Sequence, residues 1–161
     1  MKIIVISDTH DRRDPMEQLL DLPEVKNADW LIHCGDIGYD DEWLRYAFRG
    51  AVTMVAGNCD YGSNLPRETV VERDGVSFFI THGNRYLSAG IDRLAYRAEE
   101  LGCGVVLFGH THTPFVLKED GILFVNPGSL ALPRQADRRR TYAVLTEKDG
   151  EWSAEIRELP R

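Results

Sequence analysis

No stretch of this 161-residue sequence approaches the ~18 uninterrupted apolar residues of a membrane-spanning helix. The N-terminal MKIIVISD carries one lysine and meets Ser7 and Asp8 too early for the apolar region of a signal peptide, so the expected location is the cytoplasm. Cysteine is scarce. Cys34, Cys59 and Cys103 are odd in number and none sits in a CxxC pair, which argues against a disulfide scaffold or a zinc knuckle and leaves free, packing thiols as the plain reading. Positive charge is also in deficit: 19 Lys and Arg against 26 Asp and Glu give a net charge of −7. Coating nucleic acid or an anionic membrane rests on cations that neutralise phosphates, so those tasks are disfavoured. A phosphate ester held by local cations stays open.

What is present is an ordinary globular composition, 43% hydrophobic and 28% charged, with no repeat, linker or low-complexity tract. The length suits one domain over residues 1–161. KIIVI, WLIHC and AVTMVA are short, near-continuous apolar runs of the kind buried on both faces of a parallel sheet, separated by helical DPMEQLLDL and DDEWLRYAF. Asp40, Asp41 and Glu42 suit the start of the second of these helices. Asp74-Gly75, Asp120-Gly121 and Asp149-Gly150 each lie between alternating runs and predict three hairpins. IDRLAYRAEELG reads as an amphipathic helix stopped by Gly102, followed by a VVLF strand. The fold class is α/β, with two packed sheets and helices outside.

The chemistry-bearing residues collect where predicted strands stop: Asp8-Thr9-His10, Gly35-Asp36, Gly57-Asn58, His82-Gly83 and Gly109-His110-Thr111-His112. Ligands of open α/β sheets bind beyond the carboxyl ends of strands. A lone histidine or aspartate there is usually a cap or a turn residue. Five strand ends that each carry a ligand-type residue point instead to a metal site. In D-x-H and H-x-H, two-residue spacing puts both side chains on one side of an extended segment. Imidazoles and hard oxygens without thiolates suit Mn, Fe, Zn, Co or Ni. Asp8, His10, Asp36, Asn58, His82, His110 and His112 are too many for one catalytic zinc. Two ions bridged by a carboxylate fit the count, with a bridging hydroxide as nucleophile toward a phosphate ester.

SDTH, GD, GN, THG and GHTH in this order resemble the motif series of the calcineurin-like metallophosphoesterase superfamily. The short chain and the NPGS segment at Asn126–Ser129 are most similar to its small, YfcE-type phosphodiesterase branch. The resemblance runs from Met1 to about Leu145 and implies a four-layer α-β-β-α sandwich of two mixed sheets flanked by helices. It implies one metal on Asp8, His10, Asp36 and His112, and a second on Asp36, Asn58, His82 and His110, with manganese the first choice. The expected activity is hydrolysis of small phosphodiesters; the alternatives are a non-catalytic protein-binding scaffold, as in a retromer-coat relative, and a metal-dependent nuclease. Cys59 stands where much of the superfamily has a proton-donating histidine, and Asn84 where another often follows THG. Without that acid, esters with good leaving groups are the expected substrates.

Other residues keep two readings. His33 orients Asp36 or is a satisfied core histidine, and Asp60 orients neighbouring backbone or caps a turn. Arg134, Arg138, Arg139 and Arg140 are either a solvated basic loop or, if that loop folds over the metals, the source of one or two arginines, Arg134 first, that grip a substrate phosphate. Tyr61 and Tyr86 flank the ligand loops. The partner expected is a small phosphate ester, with no membrane and a homo-oligomer left open.

Overall fold

β-branched residues at nearly every position of the first strand leave it no polar face, so both of its sides are covered. The computed structural model describes residues 1–161. In chain order the elements are β1 (Lys2–Ile6), α1 (Arg13–Leu20), α2 (Pro23–Lys26), β2 (Trp30–His33), α3 (Asp41–Ala47), β3 (Ala51–Met54), β4 (Glu68–Arg73) and β5 (Val76–Thr81). There follow β6 (Ser88–Ile91), α4 (Asp92–Leu101), β7 (Val105–Leu107), β8 (Pro114–Glu119), β9 (Ile122–Pro127), β10 (Thr141–Lys148) and β11 (Glu151–Glu158). One five-stranded sheet has the order β11-β10-β1-β2-β3, the other β4-β5-β7-β9-β8. In the first, β1, β2 and β3 run parallel; in the second, β5, β7 and β9 do. Antiparallel strands complete both, so both sheets are mixed.

Strand alternation divides the core into three layers. Ile3, Val5, Trp30 and Ile32 of the first sheet meet Phe78, Ile80, Val105 and Leu107 of the second. Ile4, Ile6 and Leu31 face the other way, onto Met16 and Leu19 of α1 and Leu44 of α3. Phe79, Val106 and Phe124 face Leu94 and Ala98 of α4. The result is helix, sheet, sheet, helix. Phe78 stands edge-on to both Trp30 and Trp152, with ring centroids 5.2 Å away in each case. Its truncation to alanine would cost about 3–5 kcal/mol, because the two sheets cannot close the void between them.

All three predicted hairpins form. Their aspartates take φ of 51, 52 and 52° and the glycines after them 79, 78 and 84°, the left-handed pair that a two-residue turn of matching twist requires. α4 ends where expected, on Gly102 in the left-handed conformation. Two short elements, α2 and β6, carry no sequence signal, since four residues cannot display a period. α1 begins two residues ahead of Pro15, which sits in the first turn, where a missing N–H costs no helical bond. No helix is long and apolar enough to cross a membrane.

Candidate metal centre

The ends of β1, β2, β3 and β5 and the loop after β7 converge, and the seven predicted ligand residues come together there. Asp8 Oδ1 lies 3.2 Å from His112 Nε2 and 3.8 Å from His10 Nε2, and the two imidazole nitrogens are 3.2 Å apart. Asp36 Oδ2 lies 3.6 Å from His10 Nε2 and 3.2 Å from His82 Nε2. His110 Nδ1 is 3.1 Å from Asn58 Oδ1, and its ring is 5.2 Å from that of His82. Asp36 Oδ2 is thus near nitrogens of both groups, and so is Asp8 Oδ1, which lies 3.8 Å from His82 Nε2.

The route by which these side chains converge differs from the expected extended geometry. Asp8, His10, Asp36, His110 and His112 all take positive φ, between 46 and 73°. Left-handed backbone at residues other than glycine costs of the order of 1–3 kcal/mol each and gathers at functional sites. His110 and His112 consequently do not serve one side: His112 turns to Asp8 and His10, His110 to Asn58 and His82. Close approach needs glycine twice. A Cβ on Gly57 would lie 2.2 Å from Asp36 Oδ1, and one on Gly109 would lie 2.1 Å from Ser7 Oγ.

Hydrogen bonds fix which atom of each residue faces inward. His82 Nδ1–H donates to the Cys34 carbonyl (2.8 Å) and His112 Nδ1–H to that of Leu132 (2.7 Å), so both Nε2 atoms point at carboxylates. Asp36 Oδ1 accepts the Cys59 N–H at 2.8 Å, which leaves Oδ2 free. Asp8 Oδ2 accepts from Ser7 Oγ (2.5 Å) and from the His110 N–H (3.0 Å). Asp8 Oδ1 and His82 Nε2 are buried without a hydrogen-bond partner. Buried orphans of this kind are costly, and a lone pair on Nε2 facing a carboxylate calls for a positive charge between them. A proton or a metal ion supplies it. The residues present thus fit a metal centre.

The electrostatics of the protein by itself favour protons there. Burial works against ionisation of Asp8 and Asp36, but the histidines outweigh it and both carboxyls are held below the usual range. The Asp8 carboxylate raises His10; burial lowers His82, yet Asp36 and Asp8 bring it out above its ordinary value. Burial, then the charge of His82, pushes His110 down. Burial and the Asp36 carboxylate push the exposed Cys59 thiol up, away from a nucleophilic thiolate.

The supporting residues resolve most of the open readings. Asp60 accepts four backbone N–H groups: Asp36 (2.8 Å), Ile37 (3.3 Å) and Gly57 (2.8 Å) on Oδ2, and Gly38 (2.8 Å) on Oδ1. It orients neighbouring backbone and ties the GNCD loop to the GD loop. His33 is fully buried and satisfied: Nδ1 accepts the Gly35 N–H (3.1 Å), so Nε2–H donates to Thr9 Oγ1 (2.9 Å). Burial lowers its pKa to about 3. Arg139 pairs with Asp137 and Glu158, and Arg140 reaches Gln18 and the Pro160 carbonyl. Those two belong to the surface. Arg134 alone of the cluster has its backbone N–H on the His112 carbonyl (3.0 Å), and its side chain is unpaired and exposed. Tyr86 is occupied by Glu68 (2.7 Å), while Tyr61 is exposed.

Sequence reading missed three positioning residues. Ser7 holds Asp8, as above. Ser129 Oγ donates to the Asp8 carbonyl (2.8 Å) and accepts the Ala131 and Leu132 N–H groups. Asn126 Nδ2 donates to the Gly109 carbonyl and to Thr111 Oγ1, both at 3.0 Å. NPGS was the available signal, since a turn motif beside a strand end must bond to something.

Residues 1–150 match the calcineurin-like phosphoesterase superfamily domain. The chain is 33% identical over 147 residues to the probable metallophosphoesterase YsnB of Bacillus subtilis, covering 91% of this chain and 84% of that protein. It is 25% identical over 158 residues to the phosphodiesterase YfcE of Escherichia coli K12, covering 83% and 82% respectively. The crystal structure of wild-type Vps29 of Entamoeba histolytica complexed with Zn²⁺ shares the fold, with TM-score 0.77 and 18% identity over 99% of this chain and all of that one.

Proposed function

The chain belongs to the calcineurin-like phosphoesterase superfamily, and from that premise we propose that it is a dinuclear metal-dependent phosphodiesterase acting on small phosphate esters in the cytoplasm. The observation that carries this reading is Asp36 Oδ2, 3.6 Å from His10 Nε2 and 3.2 Å from His82 Nε2, with Asp8 Oδ1 and His82 Nε2 left as buried orphans. Asp8, His10, Asp36 and His112 would hold one divalent ion, and Asp36, Asn58, His82 and His110 a second. Their nitrogen and hard oxygen donors suit manganese, with iron, zinc, cobalt or nickel as substitutes. Bound there, two such ions supply an activated solvent nucleophile and the charge that stabilises a phosphoryl group in transfer.

The chain's own residues do the rest. Carbonyls of Cys34 and Leu132 lock the tautomers of His82 and His112, so both ring nitrogens are aimed before anything binds. The Cys59 N–H holds Asp36 Oδ1 and keeps Oδ2 turned inward. Arg134, whose backbone N–H bonds to the His112 carbonyl, would be the arginine of its cluster to grip a phosphate oxygen. The Cys59 side chain is too weak an acid to protonate a departing alkoxide efficiently, which favours esters whose leaving group departs unaided. The family's binding-scaffold reading is less suited to this chain, because all seven ligand positions carry a ligand-type side chain.

The test is hydrolysis of bis(p-nitrophenyl) phosphate after chelator treatment, with and without Mn²⁺. Turnover restored by the ion supports the reading. Absence of turnover with every divalent ion tried overturns it.

A further inference from the structure

A cavity of ≈280 Å³ shares a wall with the candidate centre, and its lining includes Gly57, Asn58, Tyr61, Arg67, Asn84 and Arg85. Two carboxylates and two arginines line it, and they are not paired with one another. The two carboxylates in its lining are engaged: Asp60 accepts four backbone amides, and Glu68 accepts the Tyr86 hydroxyl. Arg67, just ahead of β4, and Arg85, in the loop that follows His82, have neither an ion-pair nor a hydrogen-bond partner. Two arginines without a carboxylate partner thus line one hollow beside Asn58.

Resting on the phosphoesterase reading, we infer that this cavity receives a substituent of the ester that itself carries a second anionic group, a carboxylate or a phosphate, bound by Arg67 and Arg85. Planar guanidinium forks match such oxyanions bidentately. The size is at the lower edge of the ~300–1,000 Å³ of ordinary small-ligand pockets, which suits one small substituent and not a run of polymer. Asn84, also in the lining, then offers a neutral amide to the substituent.

The experiment compares 4-nitrophenyl phenyl phosphate with 4-nitrophenyl 4-carboxyphenyl phosphate and its 4-phosphonophenyl counterpart, all releasing the same nitrophenolate. The wild type is expected to prefer a charged substituent by about tenfold in kcat/KM, the scale of one charge-assisted hydrogen bond. The ratio is expected to fall toward one in Arg67→Gln, Arg85→Gln and the double variant. Preference for neither charged substituent, or a ratio that both substitutions leave intact, overturns the inference. A readout without turnover comes from calorimetric titration with (4-carboxyphenyl)phosphonate and phenylphosphonate, which contain no ester bond. Tighter binding of the carboxylated ligand, lost in the double variant, supports the cavity's role, and equal binding overturns it. If that preference holds but no diester is hydrolysed, the phosphoesterase reading fails and the cavity's role stands; brisk hydrolysis with no preference does the reverse.

Discussion

Asp60 Oδ2 accepts the backbone N–H of Asp36 at 2.8 Å, and the same carboxylate takes three more amides from the two loops it joins. Asp36, the residue between the two imidazole groups, is therefore held from behind by a residue that touches neither group. Asp60→Ala should lower affinity for Mn²⁺ by ~10–100-fold, the usual effect of removing a partner behind a ligand. It should also cost about 2–4 kcal/mol of stability, because amides lose a charged acceptor and water replaces it only in part. Calorimetric titration and urea unfolding measure the two effects. Unchanged affinity would show that the bonds are only a turn cap.

Proton release should accompany metal loading. His10 and His82 hold protons more tightly than free imidazoles do, because the Asp8 and Asp36 carboxylates face them, and incoming ions compete with those protons. Loading should release protons, and affinity should fall as pH falls. Titrations in buffers of different ionisation enthalpy count those protons; an enthalpy independent of buffer would contradict the account. The stability effect has the matching sign. A raised folded-state value contributes stability that is complete below 6.5 and disappears as pH rises through that value. The metal-free protein should thus weaken as pH rises above 6.5, and the loaded protein should not.

His33 has the opposite behaviour. It stays neutral in the fold down to about pH 3, while the unfolded chain protonates it near 6.5. Between those values the unfolded state binds more protons, so acidification destabilises the protein. From pH 6.5 to 5 the loss should be on the order of 1–2 kcal/mol. His33→Asn should flatten this part of the stability profile by that amount in urea melts; parallel profiles for the two proteins would refute the assignment.

Cys59→His should restore a proton donor beside Asp36. Rates on diesters with poor leaving groups should rise by about 10²-fold or more, with little change for p-nitrophenolate esters. Metal content must be measured alongside, since Cys59 Sγ lies in one cluster with His10 Nε2 and an Asp36 oxygen. A leaving-group dependence that the substitution does not alter, at constant metal content, would remove the account given of this position.

The layers and the seven candidate ligands were legible because each rests on a short-range rule. Apolar runs such as KIIVI must be buried on both faces, Asp-Gly between alternating runs must turn, and polar residues at strand ends must meet where the strands end. What was not legible depends on contacts far apart in the chain. Nothing near Ser129 says that it holds a carbonyl 121 positions earlier. The H-x-H spacing does not announce left-handed backbone, which sends His110 and His112 to different partners. Arg67 and Arg85 lie 18 positions apart on separate loops, and only the pairing of β4 with β5 brings them to one cavity. Asp60 was ambiguous for the same reason, since a turn cap and a clamp between two loops differ only in what folds against them.

The most direct test of the central claim is anomalous diffraction at the manganese edge from crystals of the protein loaded with Mn²⁺. The account predicts two peaks per chain, one touching Asp8, His10 and His112, the other Asn58, His82 and His110, with Asp36 contacting both. A single peak, or density away from Asp36, would contradict it.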